Sequence, residues 1–336
     1  MTYLKSKNRI KRILLLTIYT PLQFICAQQS GYYMDWNVDH SERTVTPSIK
    51  ITNKEAQTVN CYYVEFDNKG RLKSVKHYFS GKPSNYGNFG AHELERSYFN
   101  NHFVEKYKNI KGEYVSVSRG VDERKYSLNT NGYWIKKENL SKDKLVKEGV
   151  AYSIVSRNNR NELETEVQFS ATNDTIPDGN GFPIVHFAYD ANGLMLYRQN
   201  RTKNGEIVNG VNGYATVIFQ FNQDGMFFEE QFLDENGNLF LHPRFDLAKI
   251  NWREFNKYGK PSRIYYMNTM GYPHEQRAYG ELAYRSNMTR ESIIYFNREG
   301  DKTEDRNGIA KSVYNYDTEG KFIGRTNYNL KGIEIN

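Results

Sequence analysis

Asn212-Gly213-Tyr214-Ala215-Thr216-Val217-Ile218-Phe219-Gln220-Phe221-Asn222-Gln223-Asp224-Gly225 is the stretch on which the fold turns. A run of β-branched and aromatic residues, the composition of a strand, lies between two glycines twelve positions apart. The second glycine has Asn222 three residues before it. Asx-x-x-Gly is the sequence form of a type I turn followed by a residue in the left-handed region, a frequent hairpin connection. The Asx oxygen accepts a backbone N–H two residues on, and glycine adopts positive φ without a Cβ clash. Thirteen of the 25 glycines carry this signal, where chance placement of 50 Asp and Asn among 336 residues gives about four. Ten of the thirteen also have a bulky apolar residue just before the Asx, as in Leu233-Asp234 and Tyr316-Asp317.

The signal is periodic. From residue 180 the glycines fall at 181, 193, 205, then 213, 225, 237, then 259, 271, then 300, then 308, 320, 332, with steps of 12, 12 and 8 that sum to 32. Leu247 and Met288 stand where the ladder lacks a glycine, 12 before Gly259 and Gly300. Ala215, Ala278 and Ala310 recur ten residues before the next turn residue, and Ala248 eleven before. Five copies fill 180–336. Gly70, Gly81, Gly112, Gly120 and Gly132 repeat the grammar more weakly, with Lys144 at the next step of 12. About four turn residues leave about eight per strand, roughly 25 Å of extended chain, and a tight turn makes the next strand antiparallel. The expectation is an all-β antiparallel meander, elongated or curled, with three strands per 32-residue repeat and about two dozen strands in all.

Residues 28–175 read as a diverged β-repeat region and 176–336 as the five-copy region, with the polar stretch Ala171 to Gly181 between them. One segment departs from the pattern. Gly81 to Gly90 is loop-like, and Leu94, Tyr98, Phe103, Tyr107 and Ile110 follow at near-helical spacing. That spacing admits a helical insertion near 91–110, against a diverged repeat as the competing reading.

Residues 1–27 read as a secretory signal peptide, with Lys5, Lys7, Arg9, Lys11 and Arg12 before the apolar stretch Ile13 to Ile25, and Ala27 at the cleavage position. Thirteen apolar residues rise roughly 20 Å as a helix, short of the ~30 Å needed to span a bilayer, and no later run is long enough. Cys26 invites a lipoprotein reading, but Ile25 and Gln23 fit a lipobox poorly. The formal charge of +7 includes five basic residues and no acid before position 28, which leaves +2 for the mature chain. Nucleic acid is therefore not expected as a partner. Cys61 is the single thiol left after cleavage, and its strand-like surroundings mark it as a small buried hydrophobe.

Motifs for chemistry are sparse. The seven histidines are scattered without metal-ligand spacing, no serine sits in a nucleophile elbow, and no phosphate cradle stands apart from the repeat turns. Asp174, Asp178 and Asn180 carry the best-spaced oxygens for a cation, although turn chemistry accounts for Asx residues in general. No catalytic, cofactor or metal residue is assigned. Exposed rings are the candidates for ligand binding: Tyr86, Phe89, Trp252 and Tyr258 suit stacking on sugar faces.

The units Phe66-Asp67-Asn68-Lys69-Gly70-Arg71-Leu72, Tyr189-Asp190-Ala191-Asn192-Gly193-Leu194 and Tyr316-Asp317-Thr318-Glu319-Gly320-Lys321-Phe322 resemble the Tyr-Asp repeats of RHS-type secreted proteins. They are similar, more distantly, to MORN-like repeats of YwqK-type proteins and to glucan- and choline-binding wall repeats. The resemblance implies a β-hairpin array outside the cytoplasm and carries over no ligand and no catalytic residue. RHS-type shells are much longer and carry a terminal core motif and toxin, neither of which is visible in this sequence, and wall repeats are richer in tryptophan than its three.

The expected function is a non-catalytic binding or scaffolding module, exported to the bacterial envelope: periplasm, cell surface or medium. Its expected partner is an extended polymer, polysaccharide or protein, since stacked repeats present long surfaces. Unpaired edge strands also allow oligomerisation. A carbohydrate-binding wall module is one alternative. A hydrolase with its site in 81–110, using His92, Glu93 or Glu95, is another.

Overall fold

A computed structural model of the chain describes residues 29–38, 45–47, 49–87, 89–222 and 226–335. The expected leader, 1–27, lies outside the described residues. A single open antiparallel sheet of 24 strands holds nearly all of the rest. From Asn60–Phe66 to Glu334–Ile335 the strands pair in chain order, hairpin after hairpin. The N-terminal edge alone departs from that order: Gly31–Tyr33 lies between Asn60–Phe66 and Lys50–Ile51. A separate ribbon pairs Trp36–Val38 with Val45–Pro47. No described helix is long and apolar enough to cross a membrane.

The turns have the geometry that their sequence predicts. In the turn at 234–238, Asp234 Oδ1 accepts the N–H groups of Asn236 at 2.9 Å and Asn238 at 2.8 Å. Gly237 donates to the Asp234 carbonyl at 3.1 Å, and Asp234 N–H donates to the Asn238 carbonyl at 2.9 Å. Gly237 has φ +82°. The same four bonds recur at Asp67, Asn129, Asp190, Asn256, Asn268 and Asp317. At some turns another residue takes the place of glycine: Asn161, Asn173 and Met288 have φ +62°, +68° and +63°.

Other positions shift. Leu247 is not a turn residue. Asp246 takes φ +54° one residue earlier, and Leu247 is buried behind it. The next turn after Gly132 falls at Lys142-Asp143, both with positive φ, and Lys144 already belongs to the short strand Lys144–Leu145. The third strand of each repeat is a stub. Met195–Asn200 and Phe227–Leu233 are full strands, but the chain after each makes only single bridges, Arg201 to Ile207 and Leu233 to Leu239. The step of 8 leaves too few residues for a third full strand.

The helix admitted near 91–110 is not there. Glu93–Tyr98 and His102–Lys108 form a hairpin, with Leu94 and Arg96 buried on one strand and Phe103, Glu105 and Tyr107 on the other. Leu94 and Tyr98, like Phe103 and Tyr107, are four apart, a separation that shares a face in a strand as well as in a helix. The main sheet also runs unbroken through residue 175, because Leu163–Phe169 pairs with both Thr175–Ile176 and Ile184–Tyr189. The one described α-helix is the single turn Asn53–Ala56, capped reciprocally by Thr52 and Glu55.

The inner face of the sheet carries the core. Val64, Val75, Leu94 and Tyr107 form its N-terminal part, and Val185, Val217, Phe232, Ile264 and Ile293 its C-terminal part. The recurring alanines sit at strand entry. Ala215 N–H donates to the Leu233 carbonyl at 2.7 Å, while its carbonyl accepts from Asn200 at 2.8 Å, and Ala248, Ala278 and Ala310 repeat this double bond. Rings also line the outer face, where Tyr265, Tyr279 and Phe296 form a cross-strand ladder with centroids 5.7 and 4.9 Å apart.

Most hairpins contain a register shift just before the turn, as between Ala188 and Tyr189, Gln220 and Phe221, and Asn315 and Tyr316. Such bulges bend the strand and increase its twist. The ribbon curls far enough for the outer face of the N-terminal unit to dock on the turns of the C-terminal half. Asn60 N–H donates to the Asn287 carbonyl at 2.8 Å, Ser84 Oγ to the Glu319 carbonyl at 3.0 Å, and Lys257 Nζ lies 2.9 Å from Glu55. Tyr258 and Met288 pack against Met34, Ile51, Val59 and Cys61 in the same seam. Cys61 is fully buried there, and burial pushes its thiol up to about 12.

Gly237 has no heavy atom within 4 Å of where a Cβ would sit, so Gly237→Ala tests the backbone term alone. It should cost about 1–2 kcal/mol in urea unfolding, and Gly237→Asn distinctly less, as Asn161 and Asn173 foreshadow.

Candidate functional site

Aligning the copies on the strand-entry position shows where one departs from the rest. The preceding residue is Phe182, Tyr214, Leu247 and Ile309 in four copies, all buried, and Arg277 in the remaining one. Two residues after the entry position, the inward side chain is Val185, Val217 and Ile250 in three copies, but Gly280 and Ser312 in the others. The room left at Gly280 is filled, since a Cβ there would lie 2.8 Å from Ile293 and 3.3 Å from the Tyr266 hydroxyl. Arg277 itself lines a cavity of about 470 Å³ on the inner face.

The walls come from successive hairpins. Trp252, Tyr266, Tyr295 and Tyr314 supply rings. The Arg277 guanidinium lies 4.4 Å from the Tyr266 centroid and 5.4 Å from that of Tyr295. It donates to the Phe245 carbonyl at 2.7 Å and stands 3.9 Å from Asp305. Asp305 is itself a turn residue whose Oδ1 accepts from Asn307 and Ile309. Arg290 Nη1 donates to Tyr314 Oη at 3.3 Å, and its guanidinium lies 5.2 Å from the same ring. Arg325 stands directly across the strand pair from Tyr314.

Five arginines face three carboxylates in the lining, an excess of two positive charges. Burial pushes the Glu230 carboxyl up, although the Arg198 charge opposes this, and burial pushes His274 down despite Asp246 at 3.7 Å. Both shifts leave the cavity more positive or unchanged at neutral pH. Burial likewise raises the phenols of Tyr266 and Tyr295, which stay protonated as hydrogen-bond donors.

The four sequence candidates do not form one strip. Trp252 lies in the cavity wall with its ring 4.9 Å from Phe227. Tyr258 sits in a turn docked on the N-terminal unit, its hydroxyl 3.3 Å from Glu55. Tyr86 lies at the same seam beneath Lys321, at 5.6 Å. Phe89 packs in the N-terminal core between Tyr62 and Tyr107. The sequence could not show that the turns of one half serve as the dock for the other. Arg277, Arg290 and Arg325 were missed. The signal for Arg277 was present, since it is a charge in an otherwise apolar repeat column.

The residues of the hydrolase alternative are placed as follows. Glu93 and Glu95 share the outer face of their strand, 3.5 Å from Lys76 and 2.9 Å from Lys108. Burial would raise Glu95, but hydrogen bonds from Lys108 and Tyr114 outweigh it and hold the carboxyl down. His92 Nδ1 lies 2.9 Å from the His77 carbonyl. Asp178 commits one oxygen to two turn N–H groups and the other to Arg198 at 2.6 Å, and so it is a turn and ion-pair residue.

No protein-family model matches the chain, and no curated protein does. Among solved structures, a TcdB2-TccC3 crystal structure aligns at TM-score 0.29 and 10% identity over 83% of this chain and 16% of that one. The Photorhabdus luminescens Tc holotoxin pore gives 0.28 and 10% over 83% and 15%. A porin-like protein from Bacteroides uniformis gives 0.23 and 10% over 82% and 86%. The chain thus spans about one-sixth of the length of the first two. No score reaches 0.5, and none of these likenesses carries an argument about function.

The buried histidines make the fold acid-sensitive. Burial lowers His77 to about 4, and lowers His92, His186, His242 and His274. For a histidine depressed in the folded state, stability is fully present above the unfolded value of ~6.5 and is lost as pH falls from there toward the folded value. Urea unfolding should show stability falling between pH 6.5 and 4, with His77 alone contributing roughly 3 kcal/mol. A flat profile over that window would contradict the neutral buried rings.

Proposed function

We propose that this chain is an exported, non-catalytic binding module at the bacterial envelope, and that its ligand is held on the concave face of the repeat array. The observation that carries the reading is the cavity itself. It is lined by rings and by more guanidinium groups than carboxylates, and one copy places Arg277 at its wall where the other copies carry Phe, Tyr, Leu or Ile. Interiors are close-packed, so a cavity of this size with a charge at its wall in an otherwise apolar column is consistent with use of that place. The basic and apolar leader supports export, and the Tyr-Asp turn units support a relationship to RHS-type repeat arrays. The partner under this reading is a chain-like polymer of the envelope, with polysaccharide favoured by the ring-lined walls.

Purified protein should be retained by a polysaccharide fraction of the envelope. Trp252→Ala should reduce retention at least tenfold with little change in thermal midpoint, because Trp252 is only half-buried. Tyr258→Ala should do the reverse, lowering the midpoint through the lost contact with Glu55 while retention persists. Retention by no fraction, or loss through Tyr258→Ala alone, would contradict the reading.

A further inference from the structure

We propose that the cavity is an anion-selective saccharide site, in which Arg290 and Arg325 receive the carboxylate of a uronate residue while the rings of Trp252 and Tyr314 flank the sugar. The inference rests on the binding-module reading and gives it a ligand class. Three observations carry it.

The first is how the guanidinium groups are employed. Arg277 is held by the Phe245 carbonyl and Asp305, and Arg306 by the carbonyls of Pro243 and Arg244. Arg290 is half-buried, and its side-chain hydrogen bonds go to the phenols of Tyr314 and Tyr284 and to no carboxylate among the described residues. Arg325 has no side-chain hydrogen bond or ion pair among the described residues. A half-buried guanidinium without a carboxylate is costly unless a ligand supplies the counter-charge, and guanidinium is the donor whose forked geometry matches a carboxylate.

The second is their placement around one ring. Arg290 lies over Tyr314, and Arg325 is Tyr314's cross-strand partner and lines the same cavity.

The third is the position of the cavity on a sheet face. An extended acidic peptide binds most simply by adding to a sheet edge. The cavity is walled by side chains of successive strands from Phe227–Leu233 to Phe322–Tyr328, and only the last of these has a partly unpaired edge, since Glu334–Ile335 covers Asn327 and Tyr328 alone. A compact ring with one charged substituent fits that space better than an extended backbone.

The test titrates the full chain with oligogalacturonate and with its methyl ester, which has the same sugar without the charge, by calorimetry and by tryptophan fluorescence. The acid form should bind at least tenfold more tightly than the ester, and its affinity should fall with added salt. Arg325→Gln, an exposed and unpaired position, should weaken binding of the acid form at least tenfold with an unchanged thermal midpoint. Arg290→Gln should do the same, and Lys203→Gln, in a remote turn, should change nothing. Equal binding of acid and ester, wild-type affinity in Arg325→Gln, or equal competition by poly-glutamate would overturn the proposal. No binding of oligogalacturonate, with retention on a neutral polysaccharide fraction intact, would sink this inference and leave the binding-module reading standing.

Discussion

One side-chain oxygen, accepting two backbone N–H groups across four residues, is what the rest of this structure depends on. It fixes the start of each turn, and the left-handed residue three positions later completes it. That pair of constraints returns the chain antiparallel and leaves a bulge at the strand end. The bulge repeats at one position in hairpin after hairpin, so its bend accumulates. The ribbon curls, and the curl brings Asn60, Glu55 and Ser84 onto the turns around Asn287, Lys257 and Glu319. A small local bond thereby sets the long-range shape, because it is made many times with the same sign.

Much of this was legible in the residues. The Asx-x-x-Gly spacing gave the turns their type and the strands their direction, and Met288 was identified as a turn residue by position, where it indeed takes positive φ. The errors have physical causes. Leu94 and Tyr98, and Phe103 and Tyr107, are each four apart, an interval that satisfies both the helical and the strand period, and only the turn between the two pairs and the pairing with neighbours decide. Lys144 and Leu247 were placed by arithmetic. The chain instead turns one or two residues earlier, at Lys142-Asp143 and at Asp246. The third strand of each repeat is a stub because a step of 8 barely spans the turn and the return to the next strand.

The site was less legible because it is defined by exception. Trp252 was chosen as an exposed ring and proves to line the cavity, whereas Tyr258, chosen on the same grounds, serves the intramolecular seam. A ring in a turn reads the same in sequence whether it meets solvent or another part of its own chain. Arg277 is different. It lies in a column of Phe, Tyr, Leu and Ile, and the departure is visible once the copies are aligned on their alanines. In a repeat protein the columns give the expected residue, so the informative positions are those that break a column without a gain in packing.

The curl links turn chemistry to the docked seam, and it can be measured directly. Spin labels on cysteines at Lys54 and Lys260 would report the separation of the N-terminal unit from the 256–259 turn by pulsed electron resonance, with Cys61 too deeply buried to be labelled in the folded chain. A curled ribbon gives one narrow distribution at the short end of the accessible range. A broad distribution, or a long distance consistent with an extended ribbon, would contradict the account.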